Sequence, residues 1–264
     1  MTANSVFIPA RGVGWRRGLK NMMGSELSQW YRTNMGWIQA LIWVAVLVGL
    51  QWIIFLNPSP GGASEDNIML LGVFAGLFVP VAVIIIMQDA VVGEKQTGTA
   101  AWILSKPVSR AAFILSKFFP NLLGMLVTML AIPGIGVYIL WRIYLGNPVG
   151  PAAFLAGMLL LALNLIFFQT LTLMLGAFFN HRGPVIGLSL AFLFLQQYLI
   201  GMIPILAYVL PYTIVLPTNG GANSIFFSVV TGAEPFSWLP VIATSILSVL
   251  FIASGIWRFG REEF

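Results

Sequence analysis

The chain has 264 residues, of which 59% are hydrophobic and 8% charged, and its formal net charge is +5. With a mean hydropathy of +0.93, the composition excludes a water-soluble globular domain and indicates a protein whose main solvent is lipid. The sequence contains no cysteine and a single histidine, His181. Disulfide bonds, thiolate metal sites and paired-histidine sites for haem or metal are therefore excluded.

Uncharged stretches divide the chain into six predicted membrane spans. A helix needs about 20 mostly apolar residues to cross the hydrocarbon core, and the charges of this chain fall in clusters that separate such stretches. We therefore predict an all-α integral membrane protein with one transmembrane domain over residues 1–264. The predicted spans are residues 36–56, 67–87, 118–140, 151–179, 185–206 and 238–257.

The N-terminal segment, residues 1–35, precedes the first span. Between Trp15 and Tyr31, large apolar residues recur at helical spacing, and Arg16, Arg17 and Lys20 lie beside them. This pattern favours a helix that lies in the membrane interface. A disordered basic tail is the alternative.

The loop between the second and third spans, residues 88–117, is the longest predicted connection on the basic side of the chain. Residues 98–104 predict a compact helix, and Pro107 ends it because a residue that precedes proline avoids the α region. Ser109 is a suitable N-cap for the next helix. We expect that helix to run from Arg110 into the third span and expect function to concentrate in this loop.

Polar side chains are sparse within the spans. Asn164 and Gln169 in the fourth span, with Gln196 and Gln197 in the fifth, are the candidates for lining a substrate path, but hydrogen bonding between helices is an equally open role. The pair Gly72 and Gly76 predicts close packing. No ionisable residue falls deep within the six predicted spans, which argues against proton- or sodium-coupled pumping and against an intramembrane enzyme.

The outer segment, residues 207–237, contains several prolines and an Asn-Gly-Gly turn. Those residues interrupt helices, so we predict an interfacial or re-entrant segment that does not cross the membrane. A lid over a transport exit and a plain loop are the two roles left open. Glu234 has no acidic or histidine partner near it in the sequence.

Basic residues set the expected orientation. All 13 Lys and Arg residues except Arg142 fall on one side of the predicted spans, and such residues mark the cytoplasmic side. Both termini are therefore expected in the cytoplasm, with the chain integral to the cell (inner or cytoplasmic) membrane and in contact with membrane lipid. Because these charges flank spans instead of forming a separate domain, a nucleic acid partner is not expected.

Two groups of residues resemble the type-2 exporter family of ATP-binding-cassette (ABC) permeases. That family carries, in order, a Glu, a Gly-Thr pair, a leucine- and serine-rich stretch, a Pro-Val/Ile-Ser-Arg turn and a Lys. The ending at residues 257–264 and the six-span layout with an amphipathic entry helix are also similar, whereas Ala100-Ala101-Trp102 replaces a more leucine-rich helix. The matching loop residues here are Glu94, Gly98-Thr99, Leu104-Ser105, Pro107-Val108-Ser109-Arg110 and Lys117.

The resemblance implies a permease that pairs with a second copy or a paralogue and is driven by separate nucleotide-binding ATPase subunits. It implies export and a cytoplasmic coupling helix in the loop, with ATP and Mg on the partner and no cofactor or catalytic residue in this chain. The sequence has no Gly-x-x-x-x-Gly-Lys-Ser/Thr loop for nucleotide phosphates. The residues expected to dock on the ATPase are Glu94, Gly98, Thr99, Trp102, Leu104, Ser105, Pro107 and Arg110.

The apolar character of the spans favours an apolar or amphipathic cargo. The alternative function is a non-transport scaffold or assembly subunit of a larger membrane complex, which needs the helices but no docking loop.

Overall fold

The computed structural model describes residues 14–56, 63–145, 149–217, 223–233 and 236–262. The N-terminal segment before residue 14, the Asn-Gly-Gly turn, and Arg11 and Glu234 lie outside these described residues. Within them the secondary structure is helical, with no strand. The helices are α1 (Leu19–Arg32), α2 (Met35–Leu56), α3 (Ala63–Met87), α4 (Asp89–Gln96), α5 (Thr99–Leu104), α6 (Arg110–Met125), a π segment (Leu126–Ala131), α7 (Ile132–Tyr144), α8 (Pro151–Phe178), α9 (Arg182–Met202), α10 (Tyr212–Val215), α11 (Ile225–Thr231) and α12 (Leu239–Gly260), with 3₁₀ turns at Gly14–Arg16 and Pro204–Tyr208.

Six helical segments of the described residues are long and apolar enough to cross a membrane. The protein is therefore an integral membrane protein with an all-α described part, as the composition predicts. In order, spans one to six are Met35–Leu56, Glu65–Gln96, Arg110–Tyr144, Pro151–Phe178, Arg182–Met202 and Leu239–Gly260.

Span two is longer than predicted, and the helix of span three begins at Arg110, as predicted. The two spans contain 32 and 35 residues, which at 1.5 Å per residue makes them about 48 and 52 Å long. The hydrocarbon core is only about 30 Å thick, so both helices extend beyond it. The extensions are α4 and the start of α6, and they hold α5 between them at one end of the bundle.

The prediction for the fifth span was wrong at its C-terminal end. The helix begins at Arg182 and stops at Met202, not at residue 206. Pro204 has no N–H to continue the ladder, and Ile203 leaves the α region with φ −132° and ψ 88°, as expected for a residue before proline.

The third span changes its winding near its middle. At Leu126–Ala131 it becomes a π-helix, and the Ile132 N–H donates to the carbonyl of Val127, five residues back. Pro133 contributes to this change, because its ring nitrogen has no hydrogen to donate to the carbonyl of Met129. A π segment inside a span marks a point where the helix departs from regular geometry.

The two described helices of the outer segment, α10 and α11, are inserted into the bundle, and their predicted interfacial or re-entrant position in the membrane stays a prediction. Ile214 in α10 and Phe226 in α11 are buried, and both helices pack against α3 and α8. The pair Gly72 and Gly76 makes room for them: a Cβ on Gly72 would lie 2.8 Å from the Phe226 ring, and one on Gly76 would lie 2.6 Å from Cβ of Val215. The glycine pair therefore packs against α10 and α11.

Asn164 donates a hydrogen bond to a backbone carbonyl of span two that has no donor within its own helix. Pro80 lies inside α3 and has no N–H for the carbonyl of Gly76, four residues earlier. The Asn164 side-chain amide donates to that carbonyl at 2.8 Å, and Asn164 is buried. An amide in span four thus satisfies a polar group that proline leaves open in span two.

We expect Asn164→Leu to lower the free energy of unfolding by about 1–3 kcal/mol, because the buried Gly76 carbonyl is left without a donor. In a Pro80→Ala background the loss should be smaller, since the new backbone N–H at position 80 can donate to the same carbonyl. Thermal unfolding of the four proteins of this double-mutant cycle in one detergent measures the difference. Equal losses from Asn164→Leu in both backgrounds would contradict this account.

Candidate functional site

The loop between spans two and three contains a short helix, α5, at one end of the bundle. Gly98 precedes α5 in the left-handed region, with φ 72°, a conformation that favours glycine. Its carbonyl accepts the first α5 hydrogen bond, from the Trp102 N–H at 3.1 Å. At the other end of the loop, the Ser109 hydroxyl accepts from the Ala112 N–H at 3.0 Å, so the predicted N-cap is confirmed.

The outer face of α5 carries an exposed tryptophan. Trp102 is 62% exposed, and Nζ of Lys106 lies 3.3 Å from the centroid of its ring, which is a cation–π contact. The Ser105 hydroxyl donates to the Trp102 carbonyl at 2.7 Å. With their exposed neighbours these residues form a continuous patch, here called the α5 surface: Thr97, Gly98, Trp102, Ser105, Lys106 and Pro107.

The inner face of α5 holds it against the bundle. Ala100 is fully buried, and Ile103 and Leu104 are partly buried against the hydrophobic core. Thr99 is half-buried, and its hydroxyl is 2.9 Å from that of Thr97. Leu104 and Thr99, both predicted as docking residues, therefore contribute more to seating α5 than to its exposed face.

A buried charge cluster lies at the base of α4 and α6. Lys117 of α6 forms ion pairs with Glu26 of α1 and Glu94 of α4, and we call these three residues the Lys117 cluster. Their side chains are 5%, 13% and 21% exposed, respectively. A single lysine thus joins the N-terminal helix, the helix before α5 and the third span.

Polar and packing contacts continue from the Lys117 cluster along α1 and α6. The Asn121 amide donates to the Lys117 carbonyl at 2.7 Å, and its oxygen accepts from the Trp30 indole N–H at 3.0 Å. Gly124 leaves the space that the Trp30 ring occupies. The predicted N-terminal helix is therefore present as α1, and it is joined to the third span by residues at helical spacing.

A second polar cluster joins α4 to the C-terminal residues. Nζ of Lys95 donates to the Glu262 carboxylate at 2.7 Å and to the carbonyl of Ala177 at 2.9 Å. It is also 3.4 Å from the Asn180 side-chain oxygen. The ending at residues 257–262 thus lies beside the loop, which brings together the two groups of residues that carry the family resemblance.

Arg110 caps the end of the sixth span. Its Nη1 donates to the carbonyls of Gly260 at 2.6 Å and Glu262 at 2.7 Å, where a helix leaves its last carbonyls unpaired. Phe113, one turn later, stacks on Phe259 with 4.6 Å between ring centroids. These contacts fix the start of α6 to the end of α12.

Glu94 and Arg110 were predicted to make rim contacts with a partner, and this stays a prediction. Both side chains are engaged within the chain, Glu94 by Lys117 and Arg110 by the C-terminal carbonyls. Of the eight predicted docking residues, four lie on the α5 surface: Gly98, Trp102, Ser105 and Pro107.

Three of the four residues predicted to line a substrate path form hydrogen bonds to other helices. Gln169 donates to the Phe118 carbonyl of span three at 3.0 Å, and the Gln196 oxygen accepts from the Tyr212 N–H of α10 at 3.2 Å. Both are buried, as is Asn164. Gln197 is half-buried. Three of them therefore form the hydrogen bonds between helices that the sequence left open as a role. A substrate path along these residues stays a prediction.

Sequence reasoning missed several residues of this region. Lys106 and Thr97 flank α5 and belong to its exposed face. They could be assigned to that face only once the ends of the helix were known. Glu26 left a clearer signal, since this acid lies among the apolar residues of α1, where a buried carboxylate needs a basic partner. Lys95 and Glu262 are 167 residues apart, and no local pattern connects them.

Comparison with known proteins gives one family match, to a model described as "Protein of unknown function (DUF2705)", over residues 35–264. No curated protein sequence matches the chain.

Proposed function

The chain belongs to the DUF2705 family of proteins of unknown function. That membership assigns no activity. We propose that the protein is the permease subunit of an ABC transporter. It uses ATP that separate nucleotide-binding subunits hydrolyse to export an apolar or amphipathic substrate. The observation that carries this proposal is the α5 surface, an exposed helix centred on Trp102 whose flanking helices are braced by buried charged residues.

The α5 surface has the features of a docking site. A tryptophan exposes a large, rigid apolar area, and such residues supply much of the binding energy at protein interfaces. Trp102 is exposed in the loop that joins the extensions of spans two and three. The cation–π contact with Lys106 restricts the ring, so less conformational entropy is lost when a partner covers it.

The charged contacts provide a route from α5 to the membrane spans. α5 connects α4 and α6, which are the extensions of spans two and three. Glu94 and Lys117 join those two extensions to each other and to α1, while Lys95 and Arg110 join them to the end of span six. A displacement of α5 by a partner will therefore move these helices together, which is how closure of an ATPase dimer reaches the permease in this proposal.

The charge distribution sets the orientation of the proposed permease. The described basic residues other than Arg142 lie at the end of the bundle that carries α5, so we place that end and both termini in the cytoplasm. The membrane is then the cell membrane, where α5 meets a cytoplasmic ATPase. The ATPase, with its ATP and Mg, is the partner that supplies energy.

A second copy or a paralogue completes the permease. In each of spans one, five and six, only 22% of the most apolar 18-residue stretch is buried within the chain. Their remaining faces contact lipid or a second permease chain, and a path between two such chains needs no ionisable group for an apolar or amphipathic cargo.

Co-purification tests the proposal. The tagged chain is extracted in mild detergent, and the eluate is assayed for Mg-dependent ATP hydrolysis and for proteins by mass spectrometry, with an untagged strain as control. We expect a nucleotide-binding ATPase subunit to co-purify with the chain. Recovery of other membrane proteins without an ATPase would contradict the proposal and favour a scaffold.

A further inference from the structure

An apolar groove separates spans three and four at the end of the bundle remote from α5. It has a volume of about 530 Å³ and runs from Leu126 in the π segment to Tyr138 in α7 on one side, with the first turns of α8 on the other. About twelve residues at 1.5 Å each make this wall about 18 Å long. One leaflet contributes about half of a 30 Å hydrocarbon core, so the groove has the length of one acyl chain.

Side chains of the two walls of the groove contact each other. A Cβ on Gly134 would lie 2.6 Å from Cε of Met158, and Tyr138 packs on Phe154 with 4.8 Å between ring centroids. Every lining residue is apolar or small except Tyr138, which lies at the C-terminal end of the wall formed by span three. The groove therefore suits a hydrocarbon chain along its length and a polar group at one end.

Arg142 lies at that end. It follows Tyr138 by four residues in α7, so the two side chains share a helix face one turn apart. Arg142 is exposed, and none of the ion pairs among the described residues involves it. As the only Lys or Arg on its side of the predicted spans, it opposes the charge distribution of the rest of the chain.

We propose that this groove and Arg142 form a binding site for an anionic phospholipid. One acyl chain lies between spans three and four, and the phosphodiester accepts hydrogen bonds from the guanidinium. A planar guanidinium matches phosphate oxygens better than an ammonium does. The apolar groove with an exposed cation at its end is therefore complementary to a lipid that has an acyl chain and an anionic headgroup. This inference does not depend on an ATPase partner.

Native mass spectrometry of the full-length chain tests the site. The purified protein is incubated with mixed micelles that contain phosphatidylglycerol and phosphatidylcholine in equal amounts, and the retained lipid is counted. Wild type should retain phosphatidylglycerol in preference to phosphatidylcholine. Arg142→Gln should reduce the retained phosphatidylglycerol roughly fivefold, the effect of losing one net hydrogen bond to the phosphodiester, while Arg32→Gln, at the other end of the bundle, should not.

A second pair of variants tests the groove itself. Leu155→Trp places a larger side chain in the groove and should reduce bound lipid of both kinds. Ile139→Trp, on an exposed face of α7, is the matched control and should leave retention unchanged. Equal retention by Arg142→Gln and Arg32→Gln, or by Leu155→Trp and Ile139→Trp, would overturn the proposal, with unchanged thermal unfolding showing that each variant is folded.

Discussion

Replacing Lys117 by Met is expected to lower the free energy of unfolding by about 3–5 kcal/mol, the cost of removing one partner from a buried ion pair. The Lys117 side chain is 5% exposed and is the cation for both Glu26 and Glu94. Without it, two carboxylates remain close together in a poorly solvated site. Their repulsion adds to the cost of burying each charge.

A combined variant separates the charge effect from lost packing. Lys117→Met with Glu26→Gln and Glu94→Gln buries no charge, so we expect it to recover most of the lost stability. Lys20→Met removes an exposed lysine of α1 and serves as the control. Thermal unfolding in one detergent compares these three variants with wild type, and a Lys117→Met protein as stable as Lys20→Met would contradict the assigned role of the Lys117 cluster.

Replacing Trp102 by Glu is expected to reduce recovery of the nucleotide-binding ATPase roughly thirtyfold, which corresponds to ~2 kcal/mol for an interface hot spot. The substitution removes the largest apolar side chain of the α5 surface and puts an acid beside Lys106. Because Trp102 is 62% exposed, the fold has little dependence on it.

Trp238→Glu is the matched control for this prediction. Trp238 is 53% exposed and directly precedes α12, at the end of the bundle remote from α5. Quantitative mass spectrometry of the two eluates gives the ratio of ATPase to bait. Equal recovery with Trp102→Glu and wild type would show that the α5 surface is not where the ATPase binds.

The six spans were predictable because charge and apolar length decide where a helix can cross lipid. The predicted limits of spans two and three fell short for the same reason: they stopped at the first charges, near Gln88 and Lys117. A helix that leaves the membrane can continue through charged residues, since its backbone hydrogen bonds are internal. The extension of span two through α4 was therefore missed, whereas the helix from Arg110 into span three was predicted.

The loop itself was predicted well because its signals are local. Pro107 and Ser109 act on their own neighbours, and the turn between α5 and α6 forms where they indicate. The partners of Glu94 and Arg110 were not predictable, since Lys117 also binds the distant Glu26, and the carbonyls at the end of α12 are about 150 residues from Arg110. Single charges in a loop show that a partner is needed, but not whether it belongs to the same chain.

The polar residues of the spans show the same limit. Asn164 was expected either on a path or between helices, and the choice depended on Pro80 in another span. A carbonyl freed by proline is visible in the sequence, but the amide that satisfies it is known only from packing. The insertion of α10 and α11 beside Gly72 and Gly76 likewise needs the folded bundle to identify it.

Site-specific photo-crosslinking tests the central claim most directly. A photoreactive amino acid replaces Trp102 in the full-length chain, and the cells are irradiated before lysis, with position 238 as the control. The account predicts a crosslinked product from position 102, and not from position 238, that contains a nucleotide-binding ATPase subunit. A product from position 102 that contains only lipid, or only proteins that do not bind nucleotide, would contradict it.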